Sequence, residues 1–554
     1  MTTRQTPTMA SPSRLTEATI RDYLKRGVWQ PVTLSDHWDR NASRNAQGIA
    51  VTNGEKSVSW GEAKVWTDRV SLALIRLGLA RDDLLAIQIP NGVELPLMRV
   101  ACEKAGVLSL PLPCTLRQHE MGTCLRQTEA TAVLVWGRYR GFDHCAMMQG
   151  LQQELPRLRH ILVPGKDVPA GAVALEKISS YPLEERESPA QLEGRRYQAT
   201  EVSFVNATSG STGLPKFAEY TAAARLLYGR SYVDVLELNG QDVLAALSPA
   251  AGGPNIPVYF AAPQVGAKTV FLEHFEAETA FKLIQQERVT VACLVPAQLA
   301  LMVRHPHYNR YDLSLVRFWL SVGAALSANL AQEAEEKLGG KVLNSYGAVD
   351  WGGAVFTSPL DPPKVRNLTV GIPRAGTEVR LVDEQGRPVD RKQPGEIQGR
   401  GPSCSSGYYR DPESTRKAWT ADGWLPLGDL AQWDSCGNLI VVGRKDDLII
   451  RGAQNIMPID IENHLLTHPK INQAAVIGMP DSVLGQRVCA YIVLRSPAPP
   501  TLKEIASFLA SKGIAPYKIP ERIEVVDRLP MVSDTKVDKK VLQSDIAKKL
   551  GRGL

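Results

Sequence analysis

Short apolar, β-branched runs alternate with amphipathic stretches from about position 29 to position 442. A helical pattern at 94–106 lies between strand-like runs at 84–89 and 132–136, and further strand-like runs occupy 160–164, 269–273, 291–296 and 316–323. This alternation predicts an α/β fold in which parallel sheets are covered by helices. No repeat of fixed period interrupts the pattern, which argues against a solenoid.

The pattern changes after residues 437–447. Helical patterns at 459–468 and 502–513 now alternate with strand patterns at 474–479, 488–494 and 522–526, which predicts a small α+β unit. A chain of 554 residues is also too long for one hydrophobic core. We therefore expect a flexible leader over 1–28, a large multi-sheet domain over 29–445 and a small, mobile domain over 446–554.

Composition narrows the class of protein. Hydrophobic residues make up 44% and charged residues 22% of the chain, which is ordinary for a globular protein, and the net charge is only +6. The densest basic cluster is near the C-terminus, at Lys536, Lys539, Lys540, Lys548 and Lys549. No aromatic residues interleave with these lysines, so we interpret them as a solvated face and expect no nucleic-acid partner.

The cysteines and the apolar segments bear on location. Eight cysteines are present, but none forms a C-x-x-C pair or a Cys/His cluster at metal-ligand spacing, so we interpret them as reduced residues. Residues 1–14 are polar and lack the apolar stretch of a signal peptide. The most apolar segment, 245–272, contains four prolines and is not expected to span a membrane. These features predict a cytoplasmic protein.

The sharpest local motif is TSGSTGLPK at 208–216. Its backbone N–H groups and hydroxyls can surround phosphate oxygens, and Lys216 adds a cation. It is not a Walker A loop, because Pro215 replaces the required glycine and Phe217 replaces the Ser/Thr. A flexible surface loop is the alternative interpretation. The candidate phosphate-binding residues are Thr208, Ser209, Gly210, Ser211, Thr212, Gly213 and Lys216.

Three further segments share an order and a spacing with this loop: NSYGAVDWGG at 344–353, GWLPLGDLAQWDSCGNLIVVGRKDD at 423–447 and LPMVSDTKVDKKVL at 529–542. Together the four segments resemble those of the adenylate-forming, or AMP-binding, superfamily. That superfamily comprises acyl- and aryl-CoA ligases, the adenylation domains of peptide synthetases, and luciferases. The resemblance runs from about residue 29 to residue 542 and makes 29–445 the AMP-binding domain.

The resemblance implies a role for individual residues. Tyr346 would pack on adenine beside Gly347, and Asp350 would hold Mg²⁺. Asp429 would accept both ribose hydroxyls, and Arg444 would reach the same sugar. The other implied ligand-binding residues are Gly323 and Ala324, in the segment 321–326, and Gly452, beside the pantetheine tunnel. Each also has a structural alternative, such as a core aromatic for Tyr346 or a turn residue for Asp429.

The implied reaction has two steps that use ATP, Mg²⁺ and coenzyme A. A carboxylic acid first becomes an acyl-AMP with release of pyrophosphate, and Lys536, Thr208 and Asp350 are the implied catalytic residues. The acyl group then passes to a thiol after the small domain rotates about a hinge at Asp446. A thiol on a carrier protein is the alternative acceptor. An inactive nucleotide-binding relative is a further hypothesis.

Several positions depart from the family pattern. Asp350 replaces a glutamate at the Mg²⁺ position, and Val349 replaces a threonine expected at the α-phosphate. Phe217 occupies a common glycine position, Ala222 a common histidine position, and Thr535 the glycine before the catalytic lysine. These departures motivate the inactive-relative hypothesis, whereas the presence of Asp429, Arg444 and Lys536 argues against it.

The substrate is less constrained than the reaction. The segment at 29–51 and the bulky Phe217 are similar to aryl and alicyclic acid-CoA ligases and to dihydroxybenzoate-AMP ligases. The pocket is expected to be lined by 248–256, 321–326 and 351–353. Dihydroxybenzoate enzymes have a His-Asn pair where this chain has Gly252 and Gly253, so a hydroxybenzoate loses its hydrogen-bond partner. The run at 451–462 favours coenzyme A as acceptor, and the oligomeric state is not predicted.

Overall fold

The computed structural model describes residues 12–188, 190–208, 215–249, 253–452, 454–481, 483–533 and 536–551, without the side chains of residues 455, 532, 533 and 536. The numbers of strands and helices are those of these residues. The expected α/β architecture is confirmed: the elements form two large mixed sheets, a smaller antiparallel sheet and a separate C-terminal sheet.

The first large sheet has nine strands and a parallel centre. Its edges are antiparallel, because β2 pairs with β1 at one side and β17 with β16 at the other. In spatial order the strands are β18 (Ile372–Arg374), β17 (Ala354–Phe356), β16 (Lys341–Tyr346), β15 (Phe318–Val322), β14 (Val291–Leu294), β12 (Val243–Ala246), β13 (Lys268–Phe271), β1 (Ile49–Thr52) and β2 (Ser57–Ser59).

The second large sheet has eight strands, also with a parallel centre. The hairpin from β10 to β11 is antiparallel and carries the segment 208–216 at its turn. In spatial order the strands are β21 (Gly407–Tyr408), β11 (Phe217–Thr221), β10 (Val202–Ala207), β4 (Leu108–Pro111), β3 (Leu84–Gln88), β5 (Ala132–Val135), β8 (His160–Val163) and β9 (Val173–Ala174).

Alternate side chains on these strands enter different cores, which explains why the strands are apolar throughout. Leu85 and Ile87 join the largest core, whereas Leu84 and Ala86 pack on the opposite side of the sheet. The largest core also takes side chains from the first sheet and from the helices that pack between the two sheets. Both faces of each sheet are therefore buried, as in other parallel sheets.

The helices cover these faces. α2, α3 and α18 each begin at a Ser or Thr whose side chain caps the helix, with an acidic residue three positions later. The helices are α1 (Glu17–Lys25), α2 (Leu34–Arg44), α3 (Trp60–Arg76), α4 (Glu94–Ala105), α5 (Gln118–Thr128), α6 (His144–Glu154), α7 (Leu175–Ser180), α8 (Ala190–Glu193), α9 (Ala222–Leu236), α10 (Ile256–Phe260), α11 (Ala262–Val265), α12 (Ala277–Glu287), α13 (Pro296–Val303), α14 (Ala328–Leu338), α15 (Pro363–Leu368), α16 (Pro412–Ala418), α17 (Pro458–Leu465), α18 (Leu502–Ser511) and α19 (Lys539–Lys549).

A third, antiparallel sheet follows in the sequence and was not expected, since only parallel sheets were predicted before position 445. Its spatial order is β19 (Glu378–Val382), β20 (Gly395–Arg400), β22 (Leu425–Trp433) and β23 (Leu439–Arg444). β22 is mostly half-exposed, so it lacks the continuous apolar pattern of a strand buried on both faces. A 3₁₀ turn at Lys445–Asp447 leads from β23 into the C-terminal part of the chain.

The C-terminal part contains the predicted helices and strands. β26 (Ile471–Asp481) and β27 (Gly485–Leu494) form a long antiparallel pair, flanked by β24 (Ile449–Arg451), β25 (Gln454–Ile456) and β28 (Arg522–Val525). β29 (Met531–Ser533) and β30 (Lys536–Val537) form a separate two-stranded ribbon. A similar short ribbon in the large domain joins β6 (Arg138–Tyr139) to β7 (Phe142–Asp143).

The expected flexible leader is wrong for part of its length. Residues 17–25 form α1, whose N-terminus is capped by the Thr16 side chain. Tyr23 packs edge to face on the buried Trp29 at 5.2 Å between ring centroids. α1 has no fully buried residue, but its half-buried Ile20, Tyr23 and Leu24 pack on the core around Trp29. Among the helices that the structure describes, none is long and apolar enough to cross a membrane.

Candidate active site

The two ends of the predicted phosphate loop are joined by hydrogen bonds. Thr208 follows β10, and its backbone N–H donates to the Lys216 carbonyl at 2.8 Å. The Lys216 N–H donates in return to Thr208 Oγ1 at 3.0 Å. The chain between them therefore leaves and returns at one point beside the carboxyl end of the parallel strand β4. Ser209, Gly210, Ser211, Thr212 and Gly213 lie outside the described residues.

An aromatic residue connects this loop to the predicted metal ligand. The Lys216 ammonium lies 4.9 Å from the centroid of the Tyr408 ring. Tyr408 Oη donates a hydrogen bond to Asp350 Oδ2 at 2.9 Å. Burial and the neighbouring Asp350 carboxylate both raise the pKa of Tyr408, so the phenol stays protonated and remains a donor. The structure thus brings Lys216 to the ring and Asp350 to the hydroxyl of the same tyrosine.

The backbone around Asp350 is fixed by two further side chains. Ser405 Oγ donates to the Asp350 carbonyl, and Tyr220 Oη donates to the Val349 carbonyl at 2.5 Å. Gly352 has φ +73°, and a Cβ on it would lie 2.5 Å from Tyr220 Oη, so only glycine fits this position. The segment that carries Asp350 is therefore held against β11 and β21.

The two residues predicted to bind the nucleoside, Tyr346 and Asp429, are in direct contact. Tyr346 Oη donates to Asp429 Oδ2 at 2.6 Å. Arg444 Nε lies 3.6 Å from Asp429 Oδ1, and the two residues are cross-strand partners on β22 and β23. Burial, together with the Asp429 carboxylate, raises the pKa of Tyr346 well above its ordinary value. Tyr346 ends β16, so the first and third sheets meet at this cluster.

The segments predicted to line the acid pocket also come together. Gly323 follows β15 with φ +93°, and a Cβ on it would lie 3.8 Å from Pro254 Cγ. The neighbouring Ala324 is exposed. Gly347 faces the Gly353 carbonyl, which would lie 3.3 Å from a Cβ at position 347. Ala250, Ala251 and Gly252 lie outside the described residues.

The two predicted site residues of the small domain are less fully defined. Gly452 lies between β24 and β25, where its N–H donates to the Leu484 carbonyl at 2.7 Å. Lys536 begins β30 and is paired across the ribbon with Ser533. Its side chain is outside the described atoms, so the position of its amine relative to Asp350 and Asp429 stays a prediction.

Sequence reasoning missed the residues that hold the motifs in place. Tyr408 is 58 positions from its partner Asp350, and Tyr220 is 129 positions from Val349. Neither lies in a segment that the sequence analysis singled out, and no local pattern links residues that far apart. The two tyrosines are identified only through the pairing of β21 with β11.

Comparison with known families agrees with this geometry. The sequence model described as "AMP-binding enzyme" matches residues 38–409, and the one described as "AMP-binding enzyme C-terminal domain" matches residues 460–536. The first match alone spans more than half of the chain. The chain belongs to the family of AMP-binding enzymes and is an adenylate-forming ligase.

The similar proteins include enzymes with different acids. The chain is 31% identical to the medium-chain fatty-acid–CoA ligase of Escherichia coli K12, over 95% of this chain and 93% of the relative. It is also 31% identical to the 2,3-dihydroxybenzoate-AMP ligase of Bacillus subtilis, over 96% of this chain and 97% of the relative. The crystal structure of the anthranilate CoA ligase AuaEII with anthranoyl-AMP has the same fold, at a TM-score of 0.84 and 23% identity, covering 94% of this chain and 98% of that one.

Proposed function

We propose that the protein is a carboxylic acid–CoA ligase that acts through an acyl-AMP. In the first step a carboxylate oxygen attacks the α-phosphate of ATP, and pyrophosphate leaves. In the second step the thiol of coenzyme A attacks the acyl carbon, the thioester forms and AMP leaves. The observation that carries the proposal is a set of contacts that runs from Lys216, at the base of the predicted phosphate loop, through Tyr408 to Asp350. The Tyr346–Asp429 pair adjoins the same segment, because the rings of Tyr346 and Trp351 lie 6.0 Å apart.

Charge explains why the first step needs these residues. A carboxylate and ATP are both anions, so their approach must be stabilised by positive charge and fixed alignment. Lys216 supplies a cation at the base of the loop, beside the Tyr408 ring. We propose that Lys536 supplies a second cation, with Thr208 and the loop residues 209–213 donating hydrogen bonds to phosphate oxygens.

Asp350 fits a magnesium site of the kind that is completed by substrate. Mg²⁺ is commonly held by one or two carboxylates together with phosphate oxygens, not by a full protein cage. Tyr408 engages only Oδ2 of Asp350, and the described residues contain no group of three or more candidate ligands, consistent with a metal held mainly by ATP. When bound, the ion neutralises phosphate charge. Tyr408 would orient the carboxylate toward it.

The Asp429 region supports binding of the nucleoside. The Asp429 carboxylate is about one-fifth exposed and is flanked by Arg444, so it stays accessible to a ligand while its position is fixed. A carboxylate of this kind can accept hydrogen bonds from both ribose hydroxyls. We propose that Tyr346 then packs on the adenine with Gly347 beside it, and that Gly323 and Ala324 contact the bound adenylate.

The small domain is proposed to change position between the two steps. The 3₁₀ turn at Lys445–Asp447, which follows the last strand of the antiparallel sheet, carries the exposed Asp446. Rotation there would withdraw Lys536 and bring Gly452 toward the pantetheine thiol. The division into residues 29–445 and 446–554 is part of this proposal. A cytoplasmic location is proposed too, because none of the eight cysteines forms a disulfide and five of them are buried.

One assay tests the proposed function. The purified enzyme is mixed with ATP, Mg²⁺ and a panel of fatty, alicyclic and aromatic acids, and pyrophosphate release is measured with and without coenzyme A. We expect release with at least one acid and a CoA thioester as product. Absence of release with every acid would favour the inactive relative.

A carrier protein is the second candidate acceptor, because 31% identity links the chain to an enzyme named for its acyl-AMP product. The same assay is repeated with a phosphopantetheinylated carrier protein in place of coenzyme A. A thioester on the carrier, together with none on coenzyme A, would replace the first acceptor with the second.

A further inference from the structure

A buried arginine lies beside the active site without a counter-ion. Arg225, in the first turns of α9, is only 1% exposed. Its guanidinium lies 3.3 Å from the centroid of the Tyr220 ring. Neither Nη1 nor Nη2 makes a hydrogen bond, and no ion pair involves Arg225 within the described part of the chain. An aromatic face cannot satisfy all five N–H donors of a guanidinium.

A second buried arginine lies close to the first. Arg99 of α4 is 3% exposed and is surrounded by the rings of Phe204, Tyr259 and Phe260 at 5.3 to 5.9 Å. Its Nε has no hydrogen-bond partner in the part of the chain that the structure describes. Burial, with a smaller contribution from the charge of Arg225, lowers the pKa of Arg99 to about 10. No carboxylate is among the groups that act on Arg99.

The two arginines contact residues next to two of the three segments that are expected to line the acid pocket, 248–256 and 351–353. On one side, the Arg225 guanidinium stacks on the ring of Tyr220. The Tyr220 hydroxyl donates to the Val349 carbonyl and lies close to Gly352. On the other side, Phe260 belongs to α10, which continues directly from the 3₁₀ turn Gly253–Asn255. Asn255 is fully buried, and its Oδ1 also lacks a hydrogen-bond partner among the described residues.

Such an arrangement is costly unless a ligand completes it. A buried charge without a partner loses its hydration and gains little in return, and contact with aromatic faces offsets only part of that loss. A carboxylate matches the planar fork of a guanidinium with two parallel hydrogen bonds. Surface arginines of this chain behave as expected: Arg81, for example, pairs with Glu201 at 2.7 Å.

We propose that the acid activated by this enzyme carries a second carboxylate, which Arg225 binds while the first carboxylate is adenylated. Arg99 adds positive potential behind Arg225. This inference rests on the proposed function, because it names the substrate class for the same site. It selects dicarboxylic acids over monocarboxylic acids of the same carbon skeleton, since a neutral substrate end would leave both arginines uncompensated.

The first test compares matched acids on the unmodified enzyme. The pairs are benzoate with benzene-1,3- and 1,4-dicarboxylate, cyclohexanecarboxylate with cyclohexane-1,4-dicarboxylate, and octanoate with octanedioate. Pyrophosphate release gives kcat/KM for each. We expect a diacid to exceed its monoacid at least tenfold in one pair. Better turnover of every monoacid would overturn the inference and leave the proposed function intact. No release with any acid would overturn the proposed function itself.

The second test changes the arginine. In Arg225→Met we expect kcat/KM for the preferred diacid to fall on the order of 10²- to 10³-fold, chiefly through KM, while the matched monoacid changes less than threefold. Arg225→Lys keeps the positive charge but loses the planar pair of donors. Its kcat/KM for the diacid should lie between those of Arg225→Met and the unmodified enzyme. Arg230→Gln is the matched control, because Arg230 is on the same helix but donates to the Val28 carbonyl at 3.1 Å.

The variants also need a check on folding. Circular dichroism and thermal unfolding identify a damaged fold. If Arg225→Met does not fold, Arg225→Lys and the acid panel on the unmodified enzyme test the inference instead. An equal loss for diacid and monoacid in a folded Arg225 variant would overturn the inference.

Discussion

Tyr346 donates a 2.6 Å hydrogen bond to Asp429, although 83 positions separate the two residues. The bond joins the end of β16 in the first large sheet to β22 in the antiparallel sheet. Arg444 approaches the other carboxylate oxygen at 3.6 Å. Asp429 therefore has a fixed orientation before any ligand arrives, which lowers the entropy that a nucleotide must lose on binding.

Replacing Asp429 with alanine should weaken nucleotide binding. The variant loses two charge-assisted hydrogen bonds to the ribose, each worth roughly 1.5 to 3 kcal/mol. Isothermal titration with ATP and AMP measures the change in Kd directly. Tyr346→Phe is the matched control, because it removes the bond to Asp429 but keeps the ring and the carboxylate. If Asp429→Ala binds nucleotide as tightly as Tyr346→Phe does, Asp429 has only a structural role.

The Tyr408 hydroxyl should affect how tightly the enzyme binds Mg²⁺, because it orients the Asp350 carboxylate. Tyr408→Phe keeps the ring that lies 4.9 Å from Lys216 but removes the donor to Asp350. Loss of a group that orients a metal ligand typically costs about 10- to 100-fold in metal affinity. We expect the Mg²⁺ concentration for half-maximal pyrophosphate release to rise by about that factor. Tyr409→Phe is the control, and equal Mg²⁺ dependence of the two variants would contradict the assignment.

The fold could be predicted where strands are buried on both faces. The runs at 84–89, 132–136 and 160–164 became β3, β5 and β8 with ends shifted by about one residue. The antiparallel sheet was missed because β22 and β23 are mainly half-exposed and mix polar with apolar residues. α1 was missed for a different reason: the polar residues 1–14 led to the expectation of a leader through position 28, although Ile20, Tyr23 and Leu24 have helical spacing.

Only some residues of the candidate site could be predicted from the sequence. Tyr346, Asp350 and Asp429 were identified because their segments resemble those of a known family. Tyr408 and Arg225 could not be found in this way, because their importance comes from contacts with distant parts of the chain. Sequence patterns describe neighbours along the chain, whereas these contacts depend on how β21, β11 and α9 pack.

Lys536→Ala should separate the two steps of the reaction. Loss of a cation that stabilises the transition state of adenylation typically lowers the rate by ~10² to 10³. Thioester formation from supplied acyl-AMP should stay near the unmodified rate, since Lys536 is proposed to leave the site for that step. Lys539→Ala is the control, because Lys539 pairs with Glu462 at 2.8 Å within the small domain. Unchanged pyrophosphate release in Lys536→Ala would contradict the proposal.

His37 should make the protein sensitive to mild acid. The side chain is 6% exposed, and no described residue forms a hydrogen bond with its Nδ1. Burial, followed by the charge of Arg40, lowers the pKa of His37 from 6.5 to about 4. Between these pH values the unfolded chain binds a proton at this position and the folded chain does not. The free energy of unfolding should therefore fall as the pH decreases from 6.5 toward 4, by roughly 3 kcal/mol in total.

Replacing His37 with glutamine removes this titration while keeping a polar side chain of similar length. Urea unfolding is measured at several pH values from 7 to 4.5 for the unmodified protein, for His37→Gln and for the control His119→Gln, in which an exposed histidine is changed. At pH 7 glutamine and neutral histidine should differ only by packing. As the pH falls, the unmodified protein and His119→Gln should lose stability more steeply than His37→Gln, because only they must keep an uncharged imidazole at position 37. Parallel curves for all three proteins would mean that His37 is protonated in the folded state at the same pH as in the unfolded chain.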